Sequence, residues 1–210
     1  NHAWFDEILD RILCEKLNMS FRAPFRANSS LVSSALLKKA RKAGFWLIFY
    51  GVESGNQEML DKMRKGLKLE EIERAFALTH ENGLKTEASF IVGLPWETPD
   101  TVEQSWRFYR KLKPFWAGFS IAIPFPGTQF HLEAEQNDLI LEKDFDHYTP
   151  DHCVIRSYHM DCDSIASTAN RINQRVSAQN IRNLIVSPKR VRWAIRRYFD
   201  FLFARTNRAF

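Results

Sequence analysis

Three stretches place groups able to do chemistry directly after apolar runs. Gly51-Val52-Glu53-Ser54-Gly55 follows residues 45–50 and sets a carboxylate beside a hydroxyl, between glycines that let a ligand approach the backbone closely. Glu53 is suited to accept hydrogen bonds from ribose hydroxyls or an ammonium group, and Ser54 can donate or accept. Without a ligand, the same residues start a helix with Ser54 as its N-cap. Gly93-Leu94-Pro95-Trp96-Glu97 follows residues 86–92 and brings Glu97 near the same rim, or simply turns the chain into the next helix. Pro124-Phe125-Pro126-Gly127-Thr128 follows residues 119–123. Its two prolines stiffen a turn whose backbone could hold a planar ring or stop an edge strand.

These groups converge only if the apolar runs are parallel strands, whose carboxyl ends are where ligands meet such sheets. Residues 19–25, 45–50, 86–92 and 119–123 each predict a strand. The run 45–50 has no alternation, as in a strand covered on both faces. Helical patterns fill the gaps: Gly44 ends one carrying Leu36, Leu37, Ala40 and Ala43, and Gly83 ends one carrying Ile72, Ala75, Phe76 and Thr79. Thr98 as cap, Pro99 at the first position and Asp100 in the first turn start another. Strands about 30 to 40 residues apart with helix between them predict right-handed βαβ units. A complete eight-stranded barrel takes about 250 residues. The predicted fold is therefore α/β, half of a TIM-like barrel over residues 1–143, followed by a loop and a basic helical extension over 144–210.

The chain has 210 residues, with 30 Lys and Arg against 25 Asp and Glu, 45% hydrophobic and 26% charged residues. That composition is globular and excludes a disordered chain, a collagen or a coiled coil. No run approaches the roughly 18 apolar residues of a membrane span, and no signal-peptide pattern opens the chain, so the sequence reads as cytoplasmic. Cys14, Cys153 and Cys162 form no CxxC, which fits a reducing compartment. Cys14 lies in a helical pattern, where burial as a small hydrophobe is expected. The six histidines show no HxxxH or HExxH spacing and receive no metal; His147, His152 and His159 fall in a loop over the expected barrel mouth, a place for substrate contact. Residues 188–203 are basic and aromatic, with Val191, Ile195, Tyr198 and Leu202 on one helical stripe. A docked helix is expected there, with peripheral contact to an anionic membrane surface as the next reading. Nucleic acid is not expected, since no binding motif is present. The chain opens at Asn1, without Met, directly into a helical pattern, and reads as a piece of a longer protein.

Taken in order, the segment from Gly51 through Lys65-Gly66, then Phe90-Ile91-Val92-Gly93-Leu94-Pro95-Trp96-Glu97-Thr98, then Pro124-Phe125-Pro126-Gly127-Thr128, resembles the radical S-adenosylmethionine (SAM) enzymes. It is most similar to the branch whose members often carry an N-terminal cobalamin-binding domain. The match runs over roughly residues 1–150, and Phe145-Asp146-His147-Tyr148 and residues 192–203 are similar to that branch's tail. The resemblance implies a partial (β/α)₆ barrel holding SAM beside a [4Fe-4S] cluster, reductive cleavage of SAM to a 5′-deoxyadenosyl radical, a small-molecule substrate, and cobalamin as a further cofactor. This chain would supply strands three to six, and the missing N-terminal half of the barrel would be its partner.

Carried over by position, Glu53, Ser54 and Gly55 would meet the ribose or methionine end of SAM. Ile91 and the Gly93-Leu94-Pro95 turn would pack on adenine, with Glu97 at the same rim, and Pro124, Pro126, Gly127 and Thr128 would close the adenine side. Arg26 would pair with the SAM carboxylate, while Asn28 stands where the family commonly has Asp. The family's CxxxCxxC is absent, so the cluster ligands are expected outside these residues and the chain alone is expected to be inactive. The other reading is a noncatalytic α/β module that binds a nucleotide-like ligand or a partner protein.

Overall fold

Each apolar run forms a strand: β1 (Phe21–Phe25), β2 (Phe45–Glu53), β3 (Lys85–Val92) and β4 (Trp116–Ile121). This is a computed structural model, and it describes residues 2–28 and 32–185. The four strands are parallel and lie in the order β1-β2-β3-β4. A strand order that follows the chain order means every crossover adds to the same edge, as in a barrel; a doubly wound sheet would reverse.

The crossovers are α2 (Ser34–Lys42), α3 (Gln57–Lys62) with α4 (Leu69–Glu81), and α5 (Pro99–Leu112). They follow α1 (His2–Cys14) and precede α6 (Gln129–Gln136) and α7 (Cys162–Ile185). Start and stop signals act as the sequence indicates: Thr98 accepts from the Thr101 N–H with Pro99 following, and Gly44 and Gly83 take φ of 99° and 73° after α2 and α4. The outer face of the sheet is the core. Tyr50 packs on Phe76 and its hydroxyl sits 2.8 Å from Thr79 Oγ1, while Phe90 stacks on Phe119 at 4.5 Å and meets Tyr109 edge-on.

The inner face differs from the two-sided burial expected of residues 45–50. Trp46 and Phe49 are only half-buried, as are Glu87, Ser89, Ile91 and Gly118, because four strands make an open trough and no further layer covers it among the described residues. β4 starts before the predicted run because Gly118 conceals the strand propensity of Trp116-Ala117. Cys14 is exposed, not buried. The buried stripe of α1 runs through Leu9 and Ile12, with Phe5 and Ile8 packed beside it, and Cys14 points away from it.

β4 ends the sheet, and α7 seals its free edge. The side-chain amide of Asn173 accepts from Phe119 N at 2.9 Å and donates to Phe119 O at 2.6 Å. Asn180, on the same helix face, does so with Ala117 at 3.2 and 2.9 Å. Ile121 N donates to Pro150 O at 2.8 Å. Between α6 and α7 an antiparallel bridge joins Ile140 to Ile155, and a 3₁₀ turn spans Phe145–His147. No helix among the described residues is long and apolar enough to cross a membrane. The stripe through Val191, Ile195, Tyr198 and Leu202 lies outside the described residues.

Candidate cofactor-binding site at the strand ends

Glu53 is the last residue of β2 and takes φ = 65°, at the point where its register against β3 shifts. The left-handed turn swings its carboxylate back over the inner face. There Oε1 accepts from Lys65 Nζ at 2.6 Å and Oε2 from Ser89 Oγ at 3.5 Å. Gly51 makes the space: a Cβ there would lie 2.5 Å from Glu53 Oε1 and 3.2 Å from Lys65 Nζ. The pair is mostly shielded, with side chains 17% and 26% exposed, so salt screens it less than a surface ion pair and its carboxylate is positioned before any ligand arrives. Arg26 donates to the Lys65 carbonyl and Asn28 to the Gly66 carbonyl at 3.2 Å. Both residues after β1 therefore brace the loop that presents Lys65. Arg26 keeps further donors, since a guanidinium has five.

Ser54, Gly55 and Glu97 turn inward. Ser54 is fully buried; its hydroxyl lies 3.2 Å from Ser105 Oγ and accepts from Asn56 N. Gly55 N donates to Ser105 Oγ at 2.9 Å, and a Cβ on Gly55 would lie 2.5 Å from Phe108 Cβ and 2.7 Å from Ser105 Cα. These residues pin the end of β2 to α5. The N-cap of α3 is Asn56, whose side chain accepts from Met59 N at 3.0 Å, so the reading of Ser54 as cap is corrected.

Glu97 lies inside the β3–α5 turn, fully buried, and not at the rim where the sequence reading put it. Its Oε2 accepts the Gly93 N–H at 2.6 Å, and it has no partner for Oε1 among the described residues. Burial pushes its carboxyl up to about 7, against the lowering effect of the Gly93 and Leu94 hydrogen bonds. The carboxylate does the work of a brace, tying residue 93 to residue 97. The same turn is held from outside: Tyr158 N donates to Pro95 O at 2.8 Å, and Ser157 Oγ donates to Glu97 O at 3.2 Å. Gly93 takes φ = 94°, and a Cβ on it would meet Ile165 Cγ2 at 2.9 Å.

The groups left facing the strand ends are Glu53, Lys65 and Ser89, with Ile91 in register beside Ser120. Beyond β4, residues 125–128 are exposed, and the turn is fixed: Thr128 Oγ1 donates to Phe125 O at 2.7 Å and accepts from His131 N, His131 Nδ1 lies 2.9 Å from Pro124 O, and Gly127 has φ = 83°. Sequence reasoning gave no role at the site to Lys65 or Ser89, and it read Gly51 as room for a ligand where the structure shows room for the Glu53 carboxylate. The alternation Lys85, Glu87, Ser89 along β3 was a signal for Ser89. Lys65 falls in the segment that carries the family resemblance, but its contact with Glu53 was not legible, because it reaches the site from the loop between α3 and α4.

The cysteines do not fit an iron–sulfur cluster. Cys162 Sγ donates to Cys153 O at 3.1 Å, Cys153 Sγ donates to Ile155 O at 3.0 Å, and burial pushes the Cys153 thiol up to about 12, away from the thiolate a cluster needs. Among the described residues no group of His, Cys, Asp and Glu could hold a metal ion. His147 and His152 are ring neighbours at 5.2 Å, and His147 pairs with Glu142 at 3.1 Å.

A trough of parallel strands with a preset carboxylate and two braced turns at its carboxyl rim defines a partial α/β barrel. Residues 2–109 match the radical SAM superfamily, and the chain belongs to it. It is 31% identical over 156 residues to an uncharacterized methyltransferase of Pyrococcus horikoshii, covering 74% of this chain and 34% of that protein. It is 32% identical over 144 residues to the anaerobic magnesium-protoporphyrin IX monomethyl ester cyclase of Rubrivivax gelatinosus, covering 69% and 26%. In fold it is similar to the radical SAM methyltransferase TsrM of Kitasatospora setae, solved with cobalamin and a [4Fe-4S] cluster, with a TM-score of 0.56 and 22% identity over 81% of this chain and 34% of that one. The chain thus spans about a quarter to a third of the length of these relatives.

Proposed function

We propose that this chain is the part of a radical SAM enzyme that seats SAM at the carboxyl ends of β2, β3 and β4, for a reaction on a small-molecule substrate. The observation that carries the reading is the Glu53 carboxylate, turned over the trough by its positive φ and given its space by Gly51. In that position it accepts hydrogen bonds from the ribose hydroxyls or the ammonium group of SAM, with Lys65 holding its orientation. Ile91 and the backbone of Gly93-Leu94-Pro95 offer an apolar edge and a fixed turn for adenine, and residues 124–128 bound the same side. Ser54, Gly55 and Glu97 act through the backbone, by fixing the strand end and the turn.

SAM bound there would supply either a 5′-deoxyadenosyl radical, on one-electron reduction with methionine leaving, or a methyl group, passed without reduction to a nucleophile with S-adenosylhomocysteine leaving; the protein's part would be to orient it and exclude water. The residues of this chain do not fit the [4Fe-4S] cluster, and we place its ligands elsewhere in the protein, on a further portion of the barrel that would dock beside β1. Cobalamin as a second cofactor is supported by the fold likeness to TsrM. Peripheral membrane contact through residues 188–203 remains part of the proposal, resting on their sequence.

The test is SAM cleavage by the full-length protein, reconstituted anaerobically with iron and sulfide and given a strong reductant, with Glu53→Ala beside wild type. Turnover in wild type that falls at least tenfold in Glu53→Ala supports the proposal. No cleavage by a protein that has taken up its cluster contradicts it.

A further inference from the structure

At the opposite end of the molecule, a cleft of about 760 Å³ opens between α5 and α7. It lies beneath the amino ends of β3 and β4 and is separate from the strand-end site. Both helices run from the carboxyl rim of the sheet toward its amino end: α5 leaves the turn after β3, and α7 begins with Ile165 against Gly93 and ends with Asn183 donating to Phe115 O at 3.0 Å. They form the two walls, with Trp106, Arg110 and Lys113 on one and Arg175, Gln179 and Asn183 on the other. Seven residues of α5 give the cleft a length of about 10 Å. Tyr109 and Phe115 make a buried aromatic floor, and Lys85 enters from the start of β3.

The lining is chemically one-sided. Lys85, Arg110, Lys113 and Arg175 are all cationic, and no carboxylate lines the cleft among the described residues. Glu73 pairs with Lys111 at 2.6 Å outside the cleft. Arg175 lies over the Trp106 ring at 5.9 Å, and Tyr109 stacks on the same indole at 5.1 Å, which fixes the guanidinium at the aromatic end. Burial and then Lys85 lower the pKa of His80, whose Nε2 lies 2.9 Å from Thr86 Oγ1. Arg110, Lys113 and Arg175 around one concavity focus a positive potential that a bound polyanion relieves. The volume lies within the roughly 300–1,000 Å³ of small-molecule sites and is far more than a free phosphate fills.

We infer that the cleft between α5 and α7 binds a phosphorylated aromatic molecule of the nucleotide class, with its phosphates toward Arg110 and Lys113 and its ring against the Tyr109 and Phe115 floor. The inference is independent of the SAM site, and both can be tested in one protein.

The experiment is calorimetric titration of the full-length protein with ADP, in the presence of saturating SAM to fill the strand-end site. One-to-one binding is expected, weakened at least tenfold in the Arg110→Glu/Lys113→Glu double variant, with inorganic pyrophosphate binding at least tenfold more weakly than ADP. Both substituted residues are exposed, and an unchanged unfolding midpoint checks that the variant folds. Gln179→Glu, which puts a carboxylate at mid-cleft, gives the same test if the double variant does not fold. No ADP binding by wild type, or equal binding by the folded variants, overturns the inference. Pyrophosphate binding as tightly as ADP removes the aromatic half of it. Loss of binding to phosphatidylglycerol vesicles in the variants, without ADP binding by wild type, assigns the surface to lipid headgroups and likewise overturns it.

Discussion

Glu97 has lost its water, keeps one oxygen unpartnered, and is still held by the turn it braces. Its pKa rises on folding from 4.5 to about 7, so the folded chain holds a proton that the unfolded chain has released over that interval. Stability from this group is therefore full below about pH 4.5 and falls as pH rises through 7, by about 3 kcal/mol in total. Glu97→Gln cannot ionise, and we expect its urea-unfolding free energy to lack that decline between pH 5 and 8; an identical slope in wild type and variant would contradict the brace. Two glycines give a second contrast. A Cβ on Gly51 meets only the mobile ends of Glu53 and Lys65, whereas one on Gly55 meets backbone and a Cβ on α5. Gly51→Ala should change stability by less than about 1 kcal/mol yet weaken SAM binding, and Gly55→Ala should cost about 3 kcal/mol or more. Thermal unfolding and SAM titration separate the two.

At the scale of elements, α7 does for β4 what a fifth strand would do, with side-chain amides in place of backbone. Asn180 is buried, and Asn180→Ala leaves the Ala117 N–H and C=O unsatisfied, at about 2 kcal/mol by urea unfolding. A loss under 0.5 kcal/mol would mean water replaces the amide. The sequence made the strands, the helix stops and the Thr98 start legible, because each rests on local chemistry: an apolar run, a positive-φ glycine, a cap with proline behind it. It did not make the Asn173 and Asn180 seal legible, because that depends on a strand more than fifty residues away. The site was half legible for the same reason. Glu53 follows from its place after a strand, but the inward turn of Ser54 and Glu97 depends on Ser105 and on the Gly93 N–H, and Lys65 arrives from a loop.

At the scale of the molecule, the sheet is sealed at one edge and open at the other. β4 is covered by α7 and Pro150, while β1 has no strand beyond it and the trough is half-exposed among the described residues. An open edge beside half-buried aromatic residues is a pairing surface. We expect the 210-residue chain made alone to self-associate, and light scattering that shows a stable monomer would contradict this. The same openness is what a shared barrel requires, since SAM would lie between this trough and the strands that complete it.

That claim is tested most directly by titrating SAM into the anaerobically reconstituted full-length protein and into Glu53→Gln, which keeps the side chain's shape and removes its charge. We expect the dissociation constant to rise at least tenfold in the variant with its cluster content unchanged. Equal affinity would show that SAM does not rest on the end of β2, and would contradict the account.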